Sequence, residues 1–213
     1  EVVTNKERTV GVIVVAAGAG VRLGHEVPKA FVELAGVSLL ERAVSTLAVL
    51  AEPVQVIVVA PAGLEASARE MAERALGSSH SSLAVVTGGA TRHESVAAGL
   101  AALEPSVATV LVHDAARCLT PADVFDRVIA DVRASDRGVV PGLRVADTVK
   151  VVAGDLINGG TVTSTPDRDT LLAVQTPQGF PRAGLEQAYA ATDSVDHTDD
   201  AGVFTRAGMV VQT

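Results

Sequence analysis

Cysteine is nearly missing from this 213-residue chain, which carries one, Cys118. A lone thiol closes no intramolecular disulfide, which excludes the disulfide-scaffolded secreted domains and makes a reducing cytoplasm the default location. Aromatics are scarce too: four Phe, one Tyr and no Trp leave little surface on which to stack bases. A formal net charge of −8 argues against a protein that grips nucleic acid by its phosphates. Of 17 basic residues only Lys6, Lys29 and Lys150 are lysine, so there are few ammonium groups to explain. No run approaches the roughly 18 apolar residues of a membrane span, and the polar opening EVVTNKERT carries no signal-peptide core. Neither nucleic acid nor membrane is expected as a partner. A small anionic substrate held by a few well-placed cations stays open.

What is present is apolar surface. Hydrophobic residues make up 48% of the chain, and the length suits one α/β domain over residues 1–213. TVGVIVVAA (9–17), VQVIVVAP (54–61), LAVVTGG (83–89) and VATVLVHDAA (107–116) read as strands buried on both faces, with GVVPGL (138–143) a shorter fifth. Ser38 with Glu41 and Thr91 with Glu94 have the spacing of capping boxes, opening helices to about Leu50 and Leu103. LEASAREMAERAL (64–76) is amphipathic, and Thr120-Pro121 supplies an N-cap and first residue for a helix to about Ala134. These βα units predict a Rossmann-like, doubly wound, mostly parallel sheet with helices on both faces. Ligands in such sheets bind beyond the carboxyl ends of the strands, which here carry AAGAGVR, TGGATR and HDAAR.

From about Arg144 the rhythm changes. RVADTVKVV, a Gly154-Asp155 turn and LINGGTVTSTP form two period-2 segments with no helix between them, predicting a hairpin arm over about 144–166. LLAVQTPQ (171–178) reads as a return to a buried strand, followed by two short helices and a last strand, GMVVQT.

The stretch AAGAGVRLGHEVPKA (16–30) decides the chemistry. Gly18, Gly20 and Gly24 approximate a dinucleotide fingerprint, but that site wants an acid at the end of the second strand for the ribose hydroxyls. Val58-Val59-Ala60-Pro61 supplies none, and no GK[ST] follows to make a Walker A loop. Beside that weakened dinucleotide reading stand two others. One is a tight turn with surface cations. The other is a backbone cradle for a polyphosphate, with Arg22 and Lys29 adding a planar fork of donors and a compact charge. That pair suits a triphosphate attacked at its α-phosphorus while pyrophosphate departs.

AAGxGxR…PK at 16–29, GGxxRxxSV at 88–96, HDAAR at 113–117, DTVK at 147–150, DR at 167–168 and TPQ at 176–178 together resemble the 2-C-methyl-D-erythritol 4-phosphate cytidylyltransferases over about residues 10–206. The resemblance implies a fold of the nucleotide-diphospho-sugar transferase type, with the hairpin as a dimerisation arm. It implies a transferase of the non-mevalonate isoprenoid route, joining CTP and 2-C-methyl-D-erythritol 4-phosphate into the 4-diphosphocytidyl product with release of pyrophosphate. Mg²⁺ as cofactor, a homodimer and a cytoplasmic location come with it. A cytidylyltransferase for another polyol phosphate, such as ribitol 5-phosphate, shares most of these motifs. A non-catalytic nucleotide-binding module and NAD-dependent hydride transfer are the rivals from other classes.

Carried over position by position, the resemblance implies that Ala16, Ala17, Gly18 and Gly20 wrap CTP with backbone amides. Arg22 and Lys29 would neutralise the five-coordinate α-phosphate and the departing pyrophosphate. The attacking group is already a phosphate monoester anion, so no general base is needed. Gly89 and Ser95 would read the pyrimidine edge, Ser95 being equally a residue of a first helical turn; Ala90 stands where the family often has Asp. Asp114 would hold the ribose side of CTP and the Mg²⁺, while His113, with no second His at metal spacing, reads as structural. Arg117, Thr148, Arg168 and Thr176 would bind methylerythritol phosphate, Thr148 and Arg168 from the neighbouring subunit, with Arg168 orienting the phosphate for in-line attack. The competing readings are a solvated loop lysine for Lys29 and a surface ion pair for Arg117. Lys150 is either a contact or a solvated arm residue; Asp199 and Asp200 are either pocket acids or acids favoured at a helix N-terminus. The family's tail, a lysine-bearing segment and a closing helix, is expected to be missing after Gln212-Thr213.

Overall fold

The run VGVIVV has no polar side chain, so it is stable only where both faces of a sheet are covered. It forms β1 (Val10–Val15), an interior strand of the seven-stranded sheet. The computed structural model describes residues 9–18, 27–191 and 198–213. After β1 come β2 (Glu33–Leu34), β3 (Val37–Ser38), α1 (Leu39–Leu47), β4 (Gln55–Ala60), α2 (Glu65–Leu76), β5 (Ser82–Thr87), α3 (Arg92–Ala101), β6 (Thr109–Asp114) and α4 (Ala122–Ser135). Then follow β7 (Gly138–Val139), β8 (Gly142–Arg144), β9 (Val151–Ala153), β10 (Thr161–Ser164), β11 (Leu172–Val174), β12 (Gln178–Pro181), α5 (Arg182–Ala191), α6 (Asp200–Arg206) and β13 (Val211–Gln212).

The sheet runs β13-β7-β12-β6-β1-β4-β5. β1, β4, β5 and β6 are parallel, and β12 enters antiparallel between β6 and β7. The chain builds outward from β1 through β4 to β5, then returns to lay β6 on the other side of β1. The winding therefore reverses between β1 and β6, with Val15 level with Asp114. A crevice opens at such a reversal.

Alternate residues of each strand feed two separate cores. Val10, Val12 and Val14 pack with Leu40 and Leu47 of α1, Ala68 and Ala72 of α2, and Phe125 and Ile129 of α4. Ile13 joins Val96 and Leu100 of α3, Leu185 of α5 and Phe204 of α6 on the opposite face. Both capping boxes form: the Ser38 and Thr91 hydroxyls accept from the N–H of Glu41 and Glu94, whose carboxylates reach back. The cap of α4 falls one residue later than expected. Pro121 occupies the N-cap without a side-chain bond, because the Thr120 hydroxyl donates to the Arg117 carbonyl instead. β5 is only half-buried, being the edge of the sheet. Among the described residues no helix is long and apolar enough to cross a membrane.

The arm differs in detail from the single hairpin expected over 144–166. Its tip is the antiparallel pair β9–β10, joined by residues 154–160 rather than a two-residue turn. Its base is a second ribbon, β8 with β11. LLAV is thus an exposed strand of that ribbon, and burial resumes only at Thr176. An apolar run has the same sequence signature whether or not its own chain covers it, which is why the pattern misled.

Candidate active site

Three strand ends meet at the reversal. The Ala16 N–H donates to the Val59 carbonyl at 2.9 Å, Gly88 to Ala60 at 2.8 Å, and Ala115 to Val15 at 3.1 Å, tying each loop to its neighbour. A Cβ on Gly88 would stand 2.4 Å from the Ala17 Cβ and 2.9 Å from the Ser95 Oγ. Glycine is needed there because the loops after β1 and β5 touch. Gly89 and Ser95, expected to read a base, bond each other: Ser95 Oγ is buried, donates to the Thr91 carbonyl at 2.9 Å and accepts the Gly89 N–H at 3.2 Å. Their visible role is to shape the loop. Ala16, Ala17 and Gly18 lie beside it; Gly20 and Arg22 fall outside the described residues. Lys29 opens a 3₁₀ turn, Lys29–Phe31, whose Ala30 and Phe31 are buried in the core.

Asp114 ends β6, one third exposed, and two guanidinium groups flank it. Arg92 Nη2 lies 3.5 Å from Oδ1 and Arg117 Nε 3.7 Å from Oδ2. The backbone N–H of Asp114 donates to Thr176 Oγ1 at 3.2 Å, and that hydroxyl meets His113 Nδ1 at 3.0 Å. Burial first, with the nearby Arg117 charge adding to it, pulls the His113 pKa down to about 4, against an opposing bond to the Arg117 backbone. The ring is therefore neutral, and Nδ1 takes the Thr176 proton while Nε2–H is left for the backbone. His113 is buried and bonded within the fold, behind the pocket lining. Thr176 is buried too, its hydroxyl committed to holding Asp114.

Arg92, Asp114, Arg117 and Thr176 line an open pocket of about 230 Å³ with Gln175, Gln178, Thr198 and Asp199. Arg117 Nη1 donates to Gln175 Oε1, and Gln175 Nε2 to the Ala173 carbonyl at 3.0 Å, so the amide fixes the guanidinium. The arm residues are not brought to this pocket within one chain. Thr148 is exposed, Arg168 donates to the Ala146 carbonyl at 2.8 Å, and Lys150 to Thr165 Oγ1 at 2.7 Å. The two acids at the start of α6 separate. Asp199 caps the helix, accepting from the Gly202 N–H at 3.0 Å and lining the pocket, whereas Asp200 is wholly buried. Sequence reasoning passed over Arg92, although it supplies the R of the GGxxRxxSV pattern, and gave Gln175 and Tyr189 no role. Burial favours neutral Arg92, but the Asp200 charge and hydrogen bond outweigh it and raise its pKa still further.

Among the described residues no cluster of three or more His, Cys, Asp or Glu encloses a metal. The single part-exposed carboxylate of Asp114 at the rim of the crevice nonetheless fits Mg²⁺, which takes one or two carboxylates and fills its remaining positions with substrate phosphate oxygens and water.

The solved structures on which this chain superposes place its open sheet in the α/β nucleotidyltransferase class, with the nucleotide-diphospho-sugar transferase fold. The family model for 2-C-methyl-D-erythritol 4-phosphate cytidylyltransferase (IspD) matches residues 10–213, and the chain belongs to that family. It is 46% identical over 201 residues to the cytidylyltransferase of that name from Rhodococcus opacus, covering 94% of this chain and 83% of the relative. It is 55% identical over 200 residues to a bifunctional enzyme IspD/IspF of Clavibacter michiganensis subsp. michiganensis, covering 93% of this chain but 47% of that enzyme. The chain thus spans about half of the bifunctional relative. Among solved structures, the 4-diphosphocytidyl-2C-methyl-D-erythritol synthase of Anaerococcus prevotii superposes with a TM-score of 0.81 at 27% identity, over 97% of this chain and 86% of its own. The cytidylyltransferase of Thermus thermophilus gives 0.70 at 29%, over 94% and 85%.

Proposed function

We propose that the chain transfers the cytidylyl group of CTP to the phosphate of 2-C-methyl-D-erythritol 4-phosphate, releasing pyrophosphate. The observation that carries this is the contact between the β1 and β5 loops beside Asp114, a backbone-lined crevice with an acid at its rim. CTP lies along Ala16–Gly18 and Gly20, its base toward Gly89 and Ser95, its ribose toward Asp114. Arg22 and Lys29 stabilise charge on the α-phosphate and on pyrophosphate. The substrate phosphate is already an anionic nucleophile, so catalysis is positioning plus charge stabilisation. Arg117, oriented by Gln175, faces that phosphate from the pocket, and Thr176 acts through the Asp114 it holds. Asp114 would hold Mg²⁺, whose charge, when it is bound, would offset that of the triphosphate.

Thr148 and Arg168 complete the site from a second copy of the chain. What supports this is the arm, where Leu143, Val151 and Val162 are exposed on two-stranded ribbons that are marginal alone, and Leu156 and Ile157 on the connection between β9 and β10. The single cysteine is buried and unpaired, in keeping with a cytoplasmic enzyme.

Pyrophosphate release with each of the four nucleoside triphosphates, in the presence of methylerythritol phosphate or ribitol 5-phosphate, tests the reading. Release with CTP and methylerythritol phosphate is expected. Preference for ribitol 5-phosphate would transfer the assignment to another polyol, and CTP binding without release would leave a binding module.

A further inference from the structure

Asp200 is fully buried, and both its oxygens are taken. Oδ2 accepts from Arg92 Nη2 at 2.7 Å and Oδ1 from the Tyr189 hydroxyl at 2.5 Å. The same Arg92 nitrogen stands 3.5 Å from Asp114 Oδ1. One guanidinium therefore lies between two acids and leans toward the buried one. The reason is solvation: Asp114 shares its charge with water, whereas a carboxylate cut off from water needs a counter-charge in contact.

Asp200 is also unable to follow Arg92. Asp199 Oδ2 accepts from Gln178 Nε2 and the Ala201 N–H donates to Gln178 Oε1, both at 3.0 Å, which pins the start of α6 to β12. Arg92 is held less tightly, in the first turn of α3 with its side chain 28% exposed. Were the buried anchor neutral, the nearest full negative charge for Arg92 would be Asp114.

We infer that Asp200 is a positioning residue that holds Arg92 off Asp114, keeping Asp114 Oδ1 available to the Mg²⁺–nucleotide complex. The inference rests on the cytidylyl-transfer reading above. Asp200 touches no substrate; it acts through Arg92.

The test is Asp200→Asn, which keeps the shape and an acceptor but removes the charge. Arg92 should close on Asp114, and Mn²⁺ binding in the presence of CTP, followed by electron paramagnetic resonance, should weaken by about tenfold, as expected for one shortened ion contact at a protein surface. The Mg²⁺ concentration for half-maximal pyrophosphate release should rise in parallel, with kcat at saturating Mg²⁺ changing less. Adding Arg92→Gln to Asp200→Asn removes the closing cation and leaves a neutral hydrogen-bonded pair, so Mn²⁺ affinity should return toward wild type. Tyr189→Phe, which preserves the ring packing and the charge, covers the case in which Asp200→Asn does not fold. Losing the tyrosine donor concentrates the Asp200 charge on Arg92 and draws it further from Asp114, so Mn²⁺ binding should tighten slightly.

Unchanged Mn²⁺ affinity in Asp200→Asn, or weakened affinity in Tyr189→Phe, overturns the inference. So does a double variant no better than Asp200→Asn, since Arg92 would then be needed for itself. A wild-type protein that releases no pyrophosphate overturns the functional reading instead, and is seen before any variant is made.

Discussion

Each charged side chain in the pocket is held by something that is not a ligand. Arg117 is fixed by the Gln175 amide, Asp114 by the Thr176 hydroxyl, and Arg92 by buried Asp200. Lys29, which is not part of the pocket lining, is set by backbone, in a short turn anchored through Ala30 and Phe31. Because the core fixes that turn, Lys29→Ala should leave the fold intact. It should lower kcat by about 10²–10³-fold, the usual loss when one donor to a developing anion is removed, with the KM for CTP changed only a few-fold. A normal rate would make Lys29 a solvated loop residue. Gln175→Leu releases the Arg117 guanidinium while leaving its charge, so the KM for methylerythritol phosphate should rise more than kcat falls; steady-state kinetics in both substrates separates the two. Lys29, Asp114 and Arg117 are legible in the sequence because each stands at a strand-end motif. Gln175 is not, since its partner is 58 positions away and only folding brings them together.

Among the secondary-structure elements, local chemistry predicted best where it is self-contained. The Ser38/Glu41 and Thr91/Glu94 boxes need three residues of spacing and nothing else, and both form. Burial tends to raise the Glu41 pKa, but the Ser38 hydroxyl and then Arg74 outweigh it, so it lies below the ordinary 4.5 in the folded protein. A carboxylate depressed on folding stabilises the fold above its unfolded pKa and loses that contribution as pH falls through the folded value. Ser38→Ala should therefore cost about 1 kcal/mol near neutrality, measured by urea unfolding, and less at a pH below the folded pKa of Glu41. An undiminished cost there would mean that the box contributes through packing. Elements whose environment is tertiary were read less well: LLAV has a core strand's composition and a surface position.

For the molecule as a whole, the question is what covers the arm. Its exposed apolar side chains and separate ribbons fit a second copy, and the proposed placement of Thr148 and Arg168 makes that copy part of the site. Ile157→Asp with Val162→Asp should shift sedimentation from dimer to monomer and lower turnover together. Dimer retention in that variant would place the interface elsewhere. Subunit mixing tests the sharing directly. Lys29→Ala and Arg168→Ala are each expected to be nearly inactive, yet mixed they should recover about a quarter of wild-type activity, because random assortment makes half the dimers mixed and each mixed dimer holds one intact site. If both residues act within one chain, mixing recovers nothing.

The sequence by itself determined the parallel βα frame, the two capping boxes and the strand-end loops. Those depend on residues within a few positions of one another and on a period of two or 3.6, and the motifs sit at strand ends whatever the packing. Only the tertiary structure decided that Gly88 abuts Ala17, that Gly89 and Ser95 bond each other, and that Asp199 and Asp200 face opposite ways. It alone joined Arg92 to Asp200 across 108 positions of chain. Adjacent acids are indistinguishable as letters; which one meets water and which one needs a buried counter-charge is settled by solvation, and solvation exists only once the sheet has closed over them.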